Sequence, residues 1–198
     1  MRRIAAAVVL AALAVAAPGQ DRPAPAGKAD PQSTIEPRSG PGAGQAFLAK
    51  FVGDWDVAKT FYSRSGEAAR SKGTCRQTMI HGGRFLQSEF TFGEGKDATT
   101  GLGLTGFDPA TGRFTTVWTD SRATRMSLRQ SRDKFDGEMI VLYAAALDDG
   151  TTRPSRTVTK LEDGGKRIVH RQYSVAPQGA GADRLVMELM LTKKAAAK

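Results

Sequence analysis

The chain has 198 residues, of which 40% are hydrophobic and 25% are charged, and its formal net charge is +9. This composition is sufficient for one globular domain with its own core, and it lacks the apolar excess of a helical membrane protein. The positive charge favours anionic partners such as an envelope surface. The basic residues are scattered along the chain without interleaved aromatics, so we expect no nucleic-acid partner.

Residues 1–20 have the pattern of a secretory signal peptide. Arg2 and Arg3 precede an apolar run from Ile4 to Ala17, which ends in small residues. Such a run is shorter than the roughly 20 helical residues that a bilayer-spanning helix needs. We therefore predict an exported protein, periplasmic or extracellular, whose mature chain has no transmembrane segment.

Residues 21–44 are rich in Pro, Gly, Ala and Ser, and Ile35 is the one large aliphatic residue among them. A segment of this composition buries too little apolar area to offset the entropy of ordering it, so we predict a disordered tether. The folded domain is predicted to span residues 45–194. It begins with a short amphipathic helix, because Phe47, Leu48 and Phe51 recur at helical spacing before Gly53.

Beyond Trp55 the hydrophobic pattern changes to a period of two residues. In GRFLQSEFTF, for example, Leu86, Ser88, Phe90 and Phe92 share one face. Gly- and Asp-rich turns separate about ten such segments, which is typical of an antiparallel meander. The predicted fold is all-β, a meander that closes as a β-barrel with a short N-terminal helix, and the alternative is a sandwich.

The stretch GFDPATGRFTTVWTDS predicts a hairpin. Asp108 before a proline begins the turn, and Gly112 supplies the left-handed position that reverses the chain. Phe114, Trp118 and Asp120 then share one face of the return strand. We assign Asp108, Gly112 and Asp120 structural roles. The alternative makes Asp120 a general base or metal ligand, but no third ligand accompanies it, so we predict no metal site.

Three segments, FVGDWDV, MIHGGRFLQSEF and GLGLTGFDPATGRFTTVWTDS, resemble the bacterial domain of unknown function 1579 family. The resemblance extends from Phe47 to about Lys193. Phe107 stands where the family usually has tyrosine. The resemblance implies one common fold for this region but no particular activity, because the function of the family is unknown.

The Gly-Asp-Trp sequence after a short helix is also similar to the opening of lipocalins and other calycin barrels. That resemblance implies that Gly53 and Trp55 close one end of the barrel under an arginine from a late strand. Arg171 is our candidate for this arginine, with Arg167 as the alternative. Calycin barrels hold small apolar molecules, and the residues predicted to contact such a ligand are Phe90, Phe92, Phe114, Trp118, Met126, Tyr143 and Met187. The alternative is a lumen filled by its own side chains.

Barrels similar to nitrobindin bind haem through a histidine on a late strand. His170 is the corresponding residue, but it alternates with valines and a tyrosine that we place inside, so we predict that it faces solvent. We therefore predict no cofactor. Cys75, the single cysteine, is predicted to be a small buried residue without a catalytic role.

The sequence contains no nucleophile elbow, no metal-spaced His/Cys cluster and no phosphate loop. We favour a non-catalytic protein that binds a small hydrophobic molecule in its lumen. Two alternatives remain at this point. One is an envelope interaction protein that uses its basic surface, and the other is a barrel enzyme that uses a single lumen carboxylate, Glu89 or Asp120.

Overall fold

A computed structural model of the chain describes residues 40–144, 154–177 and 181–195. The predicted signal peptide and most of the predicted tether lie outside these described residues. Within them, one short helix is followed by ten antiparallel strands that form a closed barrel. The predicted fold class is confirmed, and the sandwich alternative is wrong because the first and last strands pair with each other.

Each strand pairs with the next along the chain, and the last strand pairs with the first to complete the ring. The helix, α1, spans Ala43–Ala49, so it begins two residues before the predicted start of the domain. The strands are β1 (Gly53–Tyr62), β2 (Ala68–Ile80), β3 (Phe85–Phe92), β4 (Thr99–Asp108), β5 (Arg113–Asp120), β6 (Ser127–Gln130), β7 (Met139–Ala144), β8 (Ser155–Glu162), β9 (Arg167–Ser174) and β10 (Arg184–Lys193).

Helix α1 packs against the end of the barrel where β1 begins and β10 ends, which we call the closed end. Phe47 and Leu48 are buried there, and so is Phe51, which lies in the turn just after the helix and not in the helix as its spacing predicted. The helix lies close to the wall because Gly44 faces the ring of Phe107, where a Cβ atom would collide. Gln45 fixes the position further, since its Nε2 donates a hydrogen bond to the carbonyl oxygen of Phe107 at 2.7 Å.

Trp55 is wholly buried at the closed end, and its Nε1 donates a hydrogen bond to the carbonyl oxygen of Phe51 at 3.0 Å. The cation over its ring is the ammonium of Lys193, 5.3 Å from the ring centroid, and not Arg171. Arg171 lies on the outer face of β9, where its Nε is 2.6 Å from Glu188 Oε2. The expected role of Arg171 is therefore wrong. Lys193 on β10 is the register partner of Trp55 on β1, so the two residues lie at the same level along the barrel.

Gly53 has a φ of 143° and leaves room beside Trp55, since a Cβ atom there would stand 2.9 Å from Lys193 Cε. The absence of a side chain at this position thus lets Lys193 reach the indole ring.

The turn after β4 also lies at the closed end. Asp108 accepts hydrogen bonds from the hydroxyl of Thr111 at 2.8 Å and from the backbone N–H of Ala110 at 2.9 Å. These bonds, the Thr111 bond first, lower the pKa of Asp108 below its usual range. Gly112 has a φ of 71°, which favours glycine at the point where the chain reverses. Asp108 and Gly112 therefore both contribute to the structure of this turn.

Candidate functional site

The barrel contains a cavity of about 370 Å³. This volume lies within the range of about 300–1,000 Å³ that is usual for small-molecule sites. The cavity extends from the residues above the closed end to the opposite end of the barrel, where β5 ends and β6 begins. Its lining is mixed: β3 and β10 contribute mainly apolar side chains, whereas β6, β8 and β9 contribute a group of polar ones that we call the polar wall. In the ring of strands β3 lies across the barrel from β8, and β10 is the neighbour of β9.

Four of the residues predicted to contact a ligand line this cavity: Phe90, Phe92, Trp118 and Met187. The rings of Phe90 and Phe92 are stacked 5.9 Å apart, and the indole of Trp118 meets Phe90 edge to face at 5.5 Å. The indole of Trp118 packs against the backbone of β4. Gly101 makes this contact possible, because a Cβ atom at that position would collide with the indole. The sequence prediction thus located the aromatic side of the cavity.

Three other predicted contact residues do not line the cavity. Phe114 faces inward but is buried at the closed end against Phe107 and Phe135, below the open space. Tyr143 lies on the outer face of β7, with the guanidinium of Arg132 over its ring at 4.0 Å. Met126 is 65% exposed and precedes β6, so no strand aims it inward.

The polar wall was missed by the sequence prediction, and its central residue is His170. This histidine lines the cavity and its Nδ1 is 2.8 Å from the hydroxyl oxygen of Thr159, so the prediction that it faces solvent is wrong. Desolvation by burial, followed by the charge of Arg129, lowers the pKa of His170 to about 4. The imidazole is therefore neutral at neutral pH.

The sequence shows the two-residue alternation of β9, but the prediction placed the wrong set of alternating residues on the inner face. Val169 is 5% exposed although it lies on the outer face, between its register partners Lys160 and Met190. Because both faces of β9 carry buried residues, the usual rule that the more apolar face points inward fails here. The polar face is the one that lines the cavity.

Asp120 lines the cavity at the end opposite the helix. It accepts hydrogen bonds from the guanidinium of Arg122 at 3.2 and 3.3 Å and from Nε1 of Trp118 at 3.1 Å. The bond from Arg122 is the largest of the effects that lower the pKa of Asp120 to about 2. A carboxylate with this pKa is a poor general base. Glu89, the other carboxylate considered, is exposed on the outer face of β3.

Lys59 completes the charged residues of the cavity wall. Its Nζ stands 4.8 Å from the ring centroid of Phe92, and its pKa is lowered by desolvation and then by the charge of Arg122. The cavity wall therefore carries the basic residues Lys59, Arg122 and Arg129 against one carboxylate, Asp120. The electrostatic potential of such an enclosure favours a negatively charged guest.

No group of three or more His, Cys, Asp or Glu side chains among the described residues could hold a metal ion. Cys75 is 2% exposed, and burial raises its pKa to about 12. Its thiol is therefore protonated and unreactive in the folded protein. In the same described segments, no helix has the length and apolar character needed to cross a membrane.

A closed antiparallel barrel of ten strands, plugged at one end by a helix and a buried tryptophan and containing a cavity, has a calycin-like fold. Residues 40–193 match the model of the family described as "Protein of unknown function (DUF1579)", and the chain belongs to that family. A comparison with curated proteins gave no significant match.

Among solved structures, the chain is similar to the crystal structure of Rv2717c from M. tuberculosis, with a TM-score of 0.54 and 12% sequence identity. The similarity covers 79% of this chain and 100% of that one. At this identity the likeness concerns the fold alone.

Proposed function

We propose that this protein is an exported, non-catalytic carrier that binds a small hydrophobic molecule inside its barrel. The observation that carries the proposal is the cavity of about 370 Å³ inside the barrel, with an aromatic side formed by Phe90, Phe92 and Trp118. Burying the apolar surface of a ligand against these rings would stabilise the complex by about 25 cal/mol per Å² before the costs of association. Export is supported by the pattern of residues 1–20.

The first test is native mass spectrometry of the mature protein purified from an exporting host, compared with the denatured chain. We expect cleavage near residue 20 and a discrete added mass that is lost on denaturation. If the native mass equals the mass of the denatured chain, and remains equal after incubation with a lipid extract, the carrier proposal is contradicted. An adduct with the visible absorbance of haem would assign the cavity to a cofactor instead.

A variant that fills the cavity tests the location of binding. Ser88 lines the cavity beside Gly103, so Ser88→Phe should occupy part of the space and weaken binding of the neutral probe N-phenyl-1-naphthylamine about tenfold or more. Gln87→Phe adds the same group to the opposite face of β3 and should leave binding unchanged. Equal effects of the two variants would place the probe on the outer surface.

A further inference from the structure

The polar wall contains a half-buried cation that has no carboxylate partner among the described residues. Arg129 projects from β6 into the cavity, and its Nη1 donates a hydrogen bond to the hydroxyl of Ser155 on β8 at 2.9 Å. Burial lowers its pKa, yet a guanidinium remains charged at any ordinary pH. In the described part of the chain no carboxylate forms an ion pair with Arg129, whose one hydrogen-bond partner there is neutral.

The one carboxylate among the residues that line the cavity is engaged elsewhere. Asp120 is held by the guanidinium of Arg122, with an Nη2–Oδ2 distance of 3.2 Å, and by the indole of Trp118. A desolvated charge without a partner is costly, so natural proteins seldom keep one unless a ligand or a substrate supplies the opposite charge.

A second, independent feature lies on β8, the strand that carries the hydrogen-bond partner of Arg129. Thr157 is 2% exposed and lines the cavity, and its Oγ1 has no hydrogen-bond partner within the described residues. It stands two residues after Ser155 on the same face of β8 and opposite Leu142 in the register. A buried hydroxyl without a partner has a cost of its own, which an acceptor atom of a ligand would remove.

We propose that the ligand is an amphiphile with an anionic head group, a carboxylate or a phosphate, that binds Arg129 and accepts a hydrogen bond from the hydroxyl of Thr157. The apolar tail lies against Phe90 and Phe92 on β3, across the barrel from β8, and against Met187 on β10. This inference depends on the proposed function, because it identifies the ligand class of the same cavity. The planar fork of an arginine suits carboxylate and phosphate oxygens, which it can bind in pairs.

The test compares ligands that share one tail and differ in the head group. Decanoate, decyl phosphate, decanol and decylamine are titrated into the mature protein at about pH 7.5, where the carboxylate is ionised, and displacement of N-phenyl-1-naphthylamine is followed. We expect at least one of the two anions to bind about tenfold or more tightly than decanol, because a hydrogen bond to a charged group is stronger than one between neutral groups. The tighter anion identifies the head group.

Variants connect the preference to the cavity wall. Arg129→Gln should abolish the preference for the anion but still bind decanol, which shows at the same time that the barrel is folded. Arg129→Lys should retain part of the preference. Arg171→Gln removes the same charge from the outer face, where Arg171 pairs with Glu188, and should leave the preference intact.

The outcomes separate this inference from the proposed function. If none of the four compounds displaces the probe, lumen binding itself is contradicted. Equal binding of decanol and both anions, a preference for decylamine, or a preference that survives Arg129→Gln would overturn the anionic head group while the carrier proposal stands. A preference that disappears at about 0.5 M salt in the wild type would also overturn it, because an enclosed pair is screened much less than a surface pair.

Discussion

The neutral state of His170 follows from its place in the barrel. Burial and the nearby charge of Arg129 both disfavour protonation, which lowers its pKa to about 4 from an ordinary value of 6.5. Between these two values the unfolded chain binds a proton that the folded chain does not bind. Stability therefore rises with pH across this window, and it falls as the pH drops from 6.5 towards 4.

We predict that His170→Gln flattens the dependence of stability on pH between about 4 and 6.5, whereas the wild type loses up to about 3 kcal/mol across that window. The free energy of unfolding of both proteins, measured in urea at several pH values, tests this prediction. The control is His81→Asn in the exposed turn before β3, because asparagine tolerates the positive φ of that residue, 50°. A steep loss that persists in His170→Gln would show that another group causes it.

The helix and the turn that follows it supply the packing at the closed end of the barrel. Phe51 is 2% exposed, packs edge to face against Phe47 and supplies the carbonyl oxygen that binds the indole of Trp55. Phe61 lies on β1 near the opposite end and is 50% exposed. A phenylalanine is therefore part of the core at the closed end, whereas at the opposite end it is half exposed.

We predict that Phe51→Ala lowers the free energy of unfolding by about 3–5 kcal/mol, because it removes a buried ring and leaves a cavity at the closed end. Phe61→Ala should lower it by about 0.5 kcal/mol or less, as is usual for an exposed position. Denaturant unfolding of the two variants measures both values. Similar losses in the two would contradict a packing role for the turn that follows the helix.

The sequence predicted the elements better than the site. Helical spacing identified Phe47, Leu48 and Phe51, and the period of two identified the inner face of β3, because both depend on local geometry. The inner face of β9 could not be predicted, since the cavity accepts a polar wall and His170 therefore does not follow the apolar rule. Arg129 could not be predicted either, because its importance arises from the strands that the fold brings around it.

At the scale of the whole molecule, the closed ring gives the strands no free edge and ties their stability together. The reactivity of Cys75 can be used to measure how often the barrel opens, because it is the single cysteine of the chain. It lies on β2 next to its register partner Phe90 on β3. A thiol reagent can reach it after the barrel opens, when its pKa also returns to an ordinary value.

We predict that Cys75 reacts with a disulfide reagent at least about a thousandfold more slowly in the native protein than in the unfolded chain, because reaction requires the opening of a cooperative structure. Absorbance of the released thiolate measures the rate. In the control, Cys75→Ala combined with Thr74→Cys moves the thiol by one residue to the exposed face of β2 and should restore fast labelling. Fast labelling of the native Cys75 would reveal local opening of β2.

The pairing of Trp55 with Lys193 joins the two extremes of the folded domain. During synthesis, β1 emerges from the ribosome long before its last partner exists, so the ring cannot close until the entire domain has been translated. Contacts of such high sequence separation also form slowly. If residues 1–20 direct export as we propose, this delay keeps the chain unfolded while it is threaded through a translocation channel, and the barrel closes only on the far side of the membrane.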